Sequence, residues 1–316
     1  MPRSTVGTRK HTPVPLDVTH LVPFTPDLRR RGPGRLEAGS ADYLDLLKQC
    51  LTAAVYPESA HITLRTQGEG SRAWLRRRVV TALAKRGYRL QKLAPFNHDA
   101  RANGTDWPAF GYSMIGLKRM DQLQRAIETI ERERIEGDFV ETGVWRGGAV
   151  ILMLAVLRQL GVTDRIVWAC DSFEGLPAPT HEADAGYDLS DDPYLAVSVD
   201  DVRANLERFG VFDERRVRFL KGWFKDTLAD SPIDRIAILR LDGDLYESTM
   251  DVLTALYDRV QPGGYIIVDD YGAWEPCRKA VADFRRDRGI TTPIEDIDGT
   301  GAWWRKASEP TKNASS

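Results

Sequence analysis

The chain has 316 residues, 42% hydrophobic and 28% charged, with a formal net charge of −2. That composition suits a globular protein with room for one large α/β domain or two small ones, and the charge excludes a general attraction to nucleic acid. No apolar run approaches the ~20 residues of a membrane helix, and Met1-Pro2-Arg3-Ser4 lacks the apolar core of a secretory signal, so no membrane association is expected. Cys50, Cys170 and Cys277 are few, scattered and odd in number. They match neither zinc spacing nor a disulfide framework, so a cytoplasmic location is expected, with Cys170 a small core residue.

Residues 1–38 stand apart. They carry five prolines from Pro13 to Pro33 and the run Arg29-Arg30-Arg31 without periodicity, and read as an extended or disordered basic arm. A helical region, 39–135, follows. Tyr43, Leu44, Leu47, Leu51 and Val55 recur at helical spacing behind Ser40, and a second helix runs from Ser71 to Arg86 with Trp74, Leu75, Val79, Val80 and Leu83 inward. Residues 91–113 read as irregular, and Lys118–Arg134 as a third helix. This layer is expected to serve as a lid or an oligomer surface, since its apolar positions permit a homo-oligomer. From Gly137 strands and helices alternate, which predicts a doubly wound, mostly parallel sheet over 136–306. The strands are Phe139–Thr142, Arg165–Asp171, Val217–Leu220, Ile236–Leu239 and Tyr265–Val268, followed by two short ones near 294–297 and 302–305. The tail 307–316 is polar and expected to be disordered.

Four stretches carry chemistry. Glu141-Thr142-Gly143-Val144-Trp145-Arg146-Gly147-Gly148 lies between strand one and its helix, where glycines let backbone N–H groups approach a ligand. A nicotinamide-type G-x-G-x-x-G needs glycine at 145, where this chain has Trp, so that fingerprint fails. An acid directly before the first glycine is the arrangement of methyltransferases that use S-adenosylmethionine, though a ligand-free βα turn explains it equally well. Asp171, at the tip of strand two and followed by Ser172, is placed to accept both hydroxyls of a ribose, against the alternative of capping a turn. In Lys221-Gly222-Trp223-Phe224 an aromatic can border an adenine face, although Trp223 and Phe224 alone would more often be core. Last, Asp242 and Asp244 follow one apolar run, and Asp269 and Asp270 follow the next. A strand, crossover helix and strand bring those ends together, and four repelling carboxylates there call for a hard cation.

These residues resemble the macrocin O-methyltransferase (TylF/MycF/NovP-like) family. The likeness is carried by Ser113–Met120, Phe139–Gly148, Asp171–Pro177, Ser198–Leu206, Leu241–Thr249 and Val268–Gly272, in family order across roughly 41–305. It implies a Rossmann-like seven-stranded class I methyltransferase fold with an N-terminal helical layer. It also implies transfer of a methyl group from S-adenosylmethionine to a deoxysugar hydroxyl of a small-molecule glycoside in antibiotic biosynthesis, assisted by Mg2+. By the resemblance, Asp242, Asp269 and Asp270 hold the metal and Asp244 is the general base, while Met114, Glu141, Thr142, Gly143, Asp171, Ser172, Gly222 and Trp223 surround the cofactor. His181 and Tyr271 are the candidates on the acceptor side, with His181 the alternative base. Alanine at Asp242 or Asp269 is expected to remove activity at little cost to the fold. Two rival readings are methylation of a catechol or phenolic diol, and a non-catalytic S-adenosylmethionine-binding protein. The departure from the family is the long arm before Ala41.

Overall fold

The computed structural model describes residues 40–55, 60–63, 91–94 and 96–307, with scattered positions between 75 and 86. The expected arm 1–38, most of the expected second helix and the tail beyond 307 lie outside the described residues. The chain from Gly39 onward is one compact unit.

Seven strands form its sheet: β3 (Asp138–Thr142), β4 (Val167–Asp171), β5 (Val217–Lys221), β6 (Ile236–Leu241), β7 (Val260–Val268), β8 (Glu295–Asp296) and β9 (Ala302–Arg305). Their order is β5-β4-β3-β6-β7-β9-β8, and all run parallel except β9, which is antiparallel to both β7 and β8. Chain order therefore reverses at β3, beside β6, where doubly wound sheets place their ligands. Helix α4 (Gly148–Gln159) is buried from Gly148 to Leu157, as a nine-residue apolar run after Gly148 dictates. Together with α1 (Ser40–Leu51), α3 (Gly116–Glu133) and α5 (Val199–Arg208), it covers one face of the sheet. On the other face, besides the one-turn α6 (Phe224–Thr227), lie α7 (Tyr246–Leu256), α8 (Glu275–Asp287) and Trp304 of β9. Ser198 caps α5, its Oγ accepting from Asp201 N at 3.1 Å.

Several expectations need correction. Residues 91–113 are not wholly irregular, for β2 (Gln91–Ala94) pairs antiparallel with β1 (Ala60–Thr63), and a short helix α2 spans His98–Ala102. Asn97 caps that helix, its side chain accepting from Asp99 N and Ala100 N. Leu75 and Val79, expected inward, are exposed, as are Tyr43 and Val55 of the first helical pattern. One layer of helices has an outer face, and these residues lie on it. The last long strand begins at Val260 and runs through Pro262-Gly263-Gly264, which were expected to precede it.

Register builds the site. Thr142 pairs with Cys170 and Leu241, and Leu241 with Val268, so the next residues along these strands are Gly143, Asp171, Asp242 and Asp269. Gly143, at φ +90°, is obligatory for this closeness: a Cβ there would lie 1.7 Å from the Asp242 carbonyl oxygen.

Candidate functional site

A cavity of about 370 Å3 opens at these strand ends, within the size range of small-molecule cofactor sites. Met114, Gly143, Asp171, Ser172 and Trp223 line it, joined by Trp145, Leu176, Phe224, Asp242 and Asp244. Five of the eight residues expected around the cofactor thus share one cavity with two of the four acids. The remaining three lie elsewhere. Thr142 is fully buried and donates its hydroxyl to Arg240 O, and Gly222 shapes the turn after β5, its N–H donating to Asp171 O at 2.9 Å. Glu141 is 1% exposed and is the counter-ion of Arg240.

Asp171 is tied into the glycine loop. Its Oδ2 accepts from Val144 N at 2.6 Å and Trp145 N at 3.4 Å, and its Oδ1 accepts from Phe173 N at 2.7 Å. Burial raises its pKa against the lowering effect of these bonds. The turn-capping alternative thus describes its contacts here; Oδ1 also accepts from Ser172 Oγ at 3.4 Å, so a further donor would take the place of one of the two 3.4 Å bonds.

The four acids converge, but not in equal roles. Carboxylate oxygens of Asp242, Asp244 and Asp270 lie within 4.8 Å of one another. Asp269, also expected among the ligands, is outside that triad and accepts from two buried arginines, Arg119 Nη1 at Oδ2 and Arg240 Nη2 at Oδ1. Arg240 Nη1 also donates to Glu141 Oε1 and, at 3.1 Å, to Asp242 Oδ2. Alanine at Asp269 would strand both arginines without a shared acceptor, so the expectation of a mild effect on the fold is withdrawn for that residue.

Burial is the largest influence on each of the three clustered acids, and their mutual repulsion follows. Asp242 is pushed up to about 6, Asp244 to about 8 with Asp242 and Asp269 adding to burial, and Asp270 well above the carboxylate range. Asp270 Oδ2 is also buried without a hydrogen-bond partner. A hard divalent cation relieves both the repulsion and the orphaned oxygen, so an all-carboxylate donor set of this kind fits Mg2+. Asp244 is at φ +56°, at the centre of a three-residue turn closed by Leu245 N donating to Gly243 O at 2.5 Å. Left-handed backbone of this sort in a non-glycine residue is concentrated at functional sites, and Asp tolerates it better than most.

The loop 174–196 is fastened to the start of α7. Asp184 is fully buried, and its oxygens accept from Tyr246 N at 2.6 Å and Glu247 N at 3.2 Å. His181 starts the turn at Glu182–Asp184, its Nδ1 accepting from Ala183 N, and its ring stacks on Tyr246 at 4.3 Å. Neither His181 nor Tyr271 lines the cavity, and Tyr271 packs half-buried against the core beneath α7 and α8.

Sequence reasoning missed Arg119, Arg240 and Asp184. Arg240 had a signal: it interrupts the apolar run of β6, all of which is buried, and a buried charge needs partners. Asp184 had none, being one of several acids in a polar loop.

An open, doubly wound sheet with a cofactor-sized cavity and an acidic rim at its switch point is the framework of a class I methyltransferase. Comparison with known proteins narrows this. The family model described as Macrocin-O-methyltransferase (TylF) matches residues 40–306. An 8-demethyl-8-(2,3-dimethoxy-alpha-L-rhamnosyl)-tetracenomycin-C 4'-O-methyltransferase of Streptomyces olivaceus is 46% identical over 267 residues, covering 83% of this chain and 92% of that protein. Demethyldecarbamoylnovobiocin O-methyltransferase of Streptomyces niveus is 41% identical, covering 84% and 94%. Among solved structures, the O-methyltransferase NovP superposes with a TM-score of 0.73 at 40% identity, covering 85% of this chain and 100% of that one. The chain belongs to the TylF macrocin-O-methyltransferase family. It is a methyltransferase, and S-adenosylmethionine is the donor its family and fold imply. Among the described residues, no helix is long and apolar enough to cross a membrane.

Proposed function

We propose that this enzyme methylates a deoxysugar hydroxyl of a glycosylated natural product, using S-adenosylmethionine and Mg2+. The observation that carries this reading is a single cavity lined by the donor-motif residues and by Asp242 and Asp244, with Asp270 within 4.8 Å of that pair. The tetracenomycin relative is named for a rhamnosyl 4' hydroxyl, which favours a sugar acceptor over a catechol.

S-Adenosylmethionine supplies an electrophilic methyl on a sulfonium centre. Trp223 and Phe224 offer the apolar faces that an adenine needs, and Asp171 and Ser172 offer acceptors for ribose hydroxyls. Asp242, Asp270 and the lone pairs of Asp269 left by its arginines would hold Mg2+, which would supply positive charge to acidify and orient the acceptor hydroxyl. Asp244 takes the acceptor's proton as the C–O bond forms and the C–S bond breaks. Burial is the largest influence raising its pKa and does not depend on the ion, which makes it a stronger base than an exposed carboxylate. Held in line, the acceptor oxygen and methyl gain the advantage of proximity, and the loop 174–196 excludes competing water.

Calorimetry with S-adenosylhomocysteine, with and without Mg2+ and chelator, combined with a screen of glycoside and catechol acceptors, tests the reading. Mg2+-dependent methylation of a glycoside is expected. Cofactor binding without any metal response, or turnover of catechols alone, would replace it.

A further inference from the structure

An alternating chain of buried charges runs from the sheet into the N-terminal layer. Glu141 on β3 meets Arg240 on β6, Arg240 meets Asp269 at the end of β7, Asp269 meets Arg119 on α3, and Arg119 Nε meets Asp298 Oδ2 at 3.0 Å. Arg119 Nη2 donates as well to Asn103 O and Gly104 O, each at 3.2 Å. The fold makes room for this side chain on two sides. A Cβ at Gly104 would lie 2.4 Å from Arg119 Nη2, and one at Gly301 2.7 Å from Arg119 Cδ.

Burying such a chain is a poor means of joining a helix to a sheet, because the desolvation of each ion offsets most of the attraction. Its effect on Asp269 is more specific. One arginine on each oxygen fixes the carboxylate plane, while the unused lone pairs stay available. Residues that hold a metal-binding carboxylate in this way tune the site's affinity without touching the ion.

We infer that Arg119 is a positioning residue of the cation site, holding Asp269 against Arg240 so that the acids at the two strand ends are preset for a divalent ion. The inference rests on the proposed Mg2+ site. It makes the helical layer part of that site, since Arg119 comes from α3.

The test is calorimetric titration of MgCl2 into wild-type protein, Arg119→Gln and Arg119→Lys, each with S-adenosylhomocysteine bound, beside titration of S-adenosylhomocysteine itself. Arg119→Gln is expected to keep its affinity for S-adenosylhomocysteine and to lose about 10- to 100-fold in Mg2+ affinity. Arg119→Lys keeps the buried charge, so it should fold even if the glutamine variant does not, yet it lacks the fork and should also bind Mg2+ more weakly. Wild-type Mg2+ affinity in a folded variant overturns the inference, as does an equal loss of both ligands. If wild-type protein binds no Mg2+, the proposed function fails instead, which this design separates from failure at Arg119.

Discussion

Two acids at the site should answer substitution in opposite ways. Asp269 is 5% exposed and shared by two arginines, so Asp269→Ala takes a buried carboxylate from both, leaving Arg119 only Asp298 and Arg240 only Glu141 and Asp242. A loss of about 3–5 kcal/mol is expected, measured by denaturant unfolding. Asp244 is half-buried, no arginine among the described residues bonds its carboxylate, and burial and neighbouring acids push its pKa up to about 8. Asp244→Asn should therefore fold and bind S-adenosylhomocysteine normally while methylation slows about 10²- to 10⁴-fold, the range of a lost general base. The raised acids also set a pH dependence. Their native pKa values, about 6 for Asp242 and about 8 for Asp244, exceed the unfolded value of about 4. Their contribution is then fully present below about pH 4, and stability of the metal-free protein falls as pH rises through 6 and 8. Mg2+ binds the ionised acids, so its thermal stabilisation should be larger at pH 8 than at pH 6. A pH-independent Mg2+ shift in melting temperature would contradict the site.

At the scale of elements, the loop before α5 is joined to the start of α7 by Asp184, by His181 stacked on Tyr246 and by Thr180 bonded to Glu247. Asp184 accepts the first N–H groups of α7 in place of a local cap, and it fastens loop 174–196, whose Leu176, Pro177 and Thr180 line the cavity. Asp184→Ala should cost about 0.5–2 kcal/mol, the range of a lost helix cap, and should speed hydrogen exchange in both the loop and the start of α7. Exchange that quickens in the loop alone would deny the coupling. No sequence signal marked this acid, because Asp188, Asp191 and Asp192 nearby are chemically alike. The sheet was far easier to read. Apolar runs ending on acids, broken by glycine and proline, gave its strand sequence, and the shared register of the strand ends then brought Gly143, Asp171, Asp242 and Asp269 together. Pairs of distant residues were harder. β1 and β2 are four residues each and mix His61 and Lys92 with apolar residues, so neither shows a period. Arg119 looked like one more charge on an amphipathic helix, and only the fold brings it to Asp269.

The whole molecule distributes the site over the helical layer and the sheet. Met114 and Arg119 come from one, Asp171 and the acid cluster from the other, so the boundary near residue 135 divides the chain's pattern but not its chemistry. The basic arm 1–38 is different. Every residue assigned here to the site lies after it, the compact unit begins at Gly39, and the family match begins at residue 40. A protein comprising residues 39–316 should therefore fold cooperatively and bind S-adenosylhomocysteine and Mg2+ as the full chain does, by calorimetry at matched pH and salt. With the acceptor identified, its methylation rate should match as well. Weaker cofactor or metal binding in the shortened protein would give the arm a part in the site. An unchanged affinity with a raised acceptor KM would place the arm on the acceptor side, where an Arg29-Arg30-Arg31 run has most to offer an acidic glycoside.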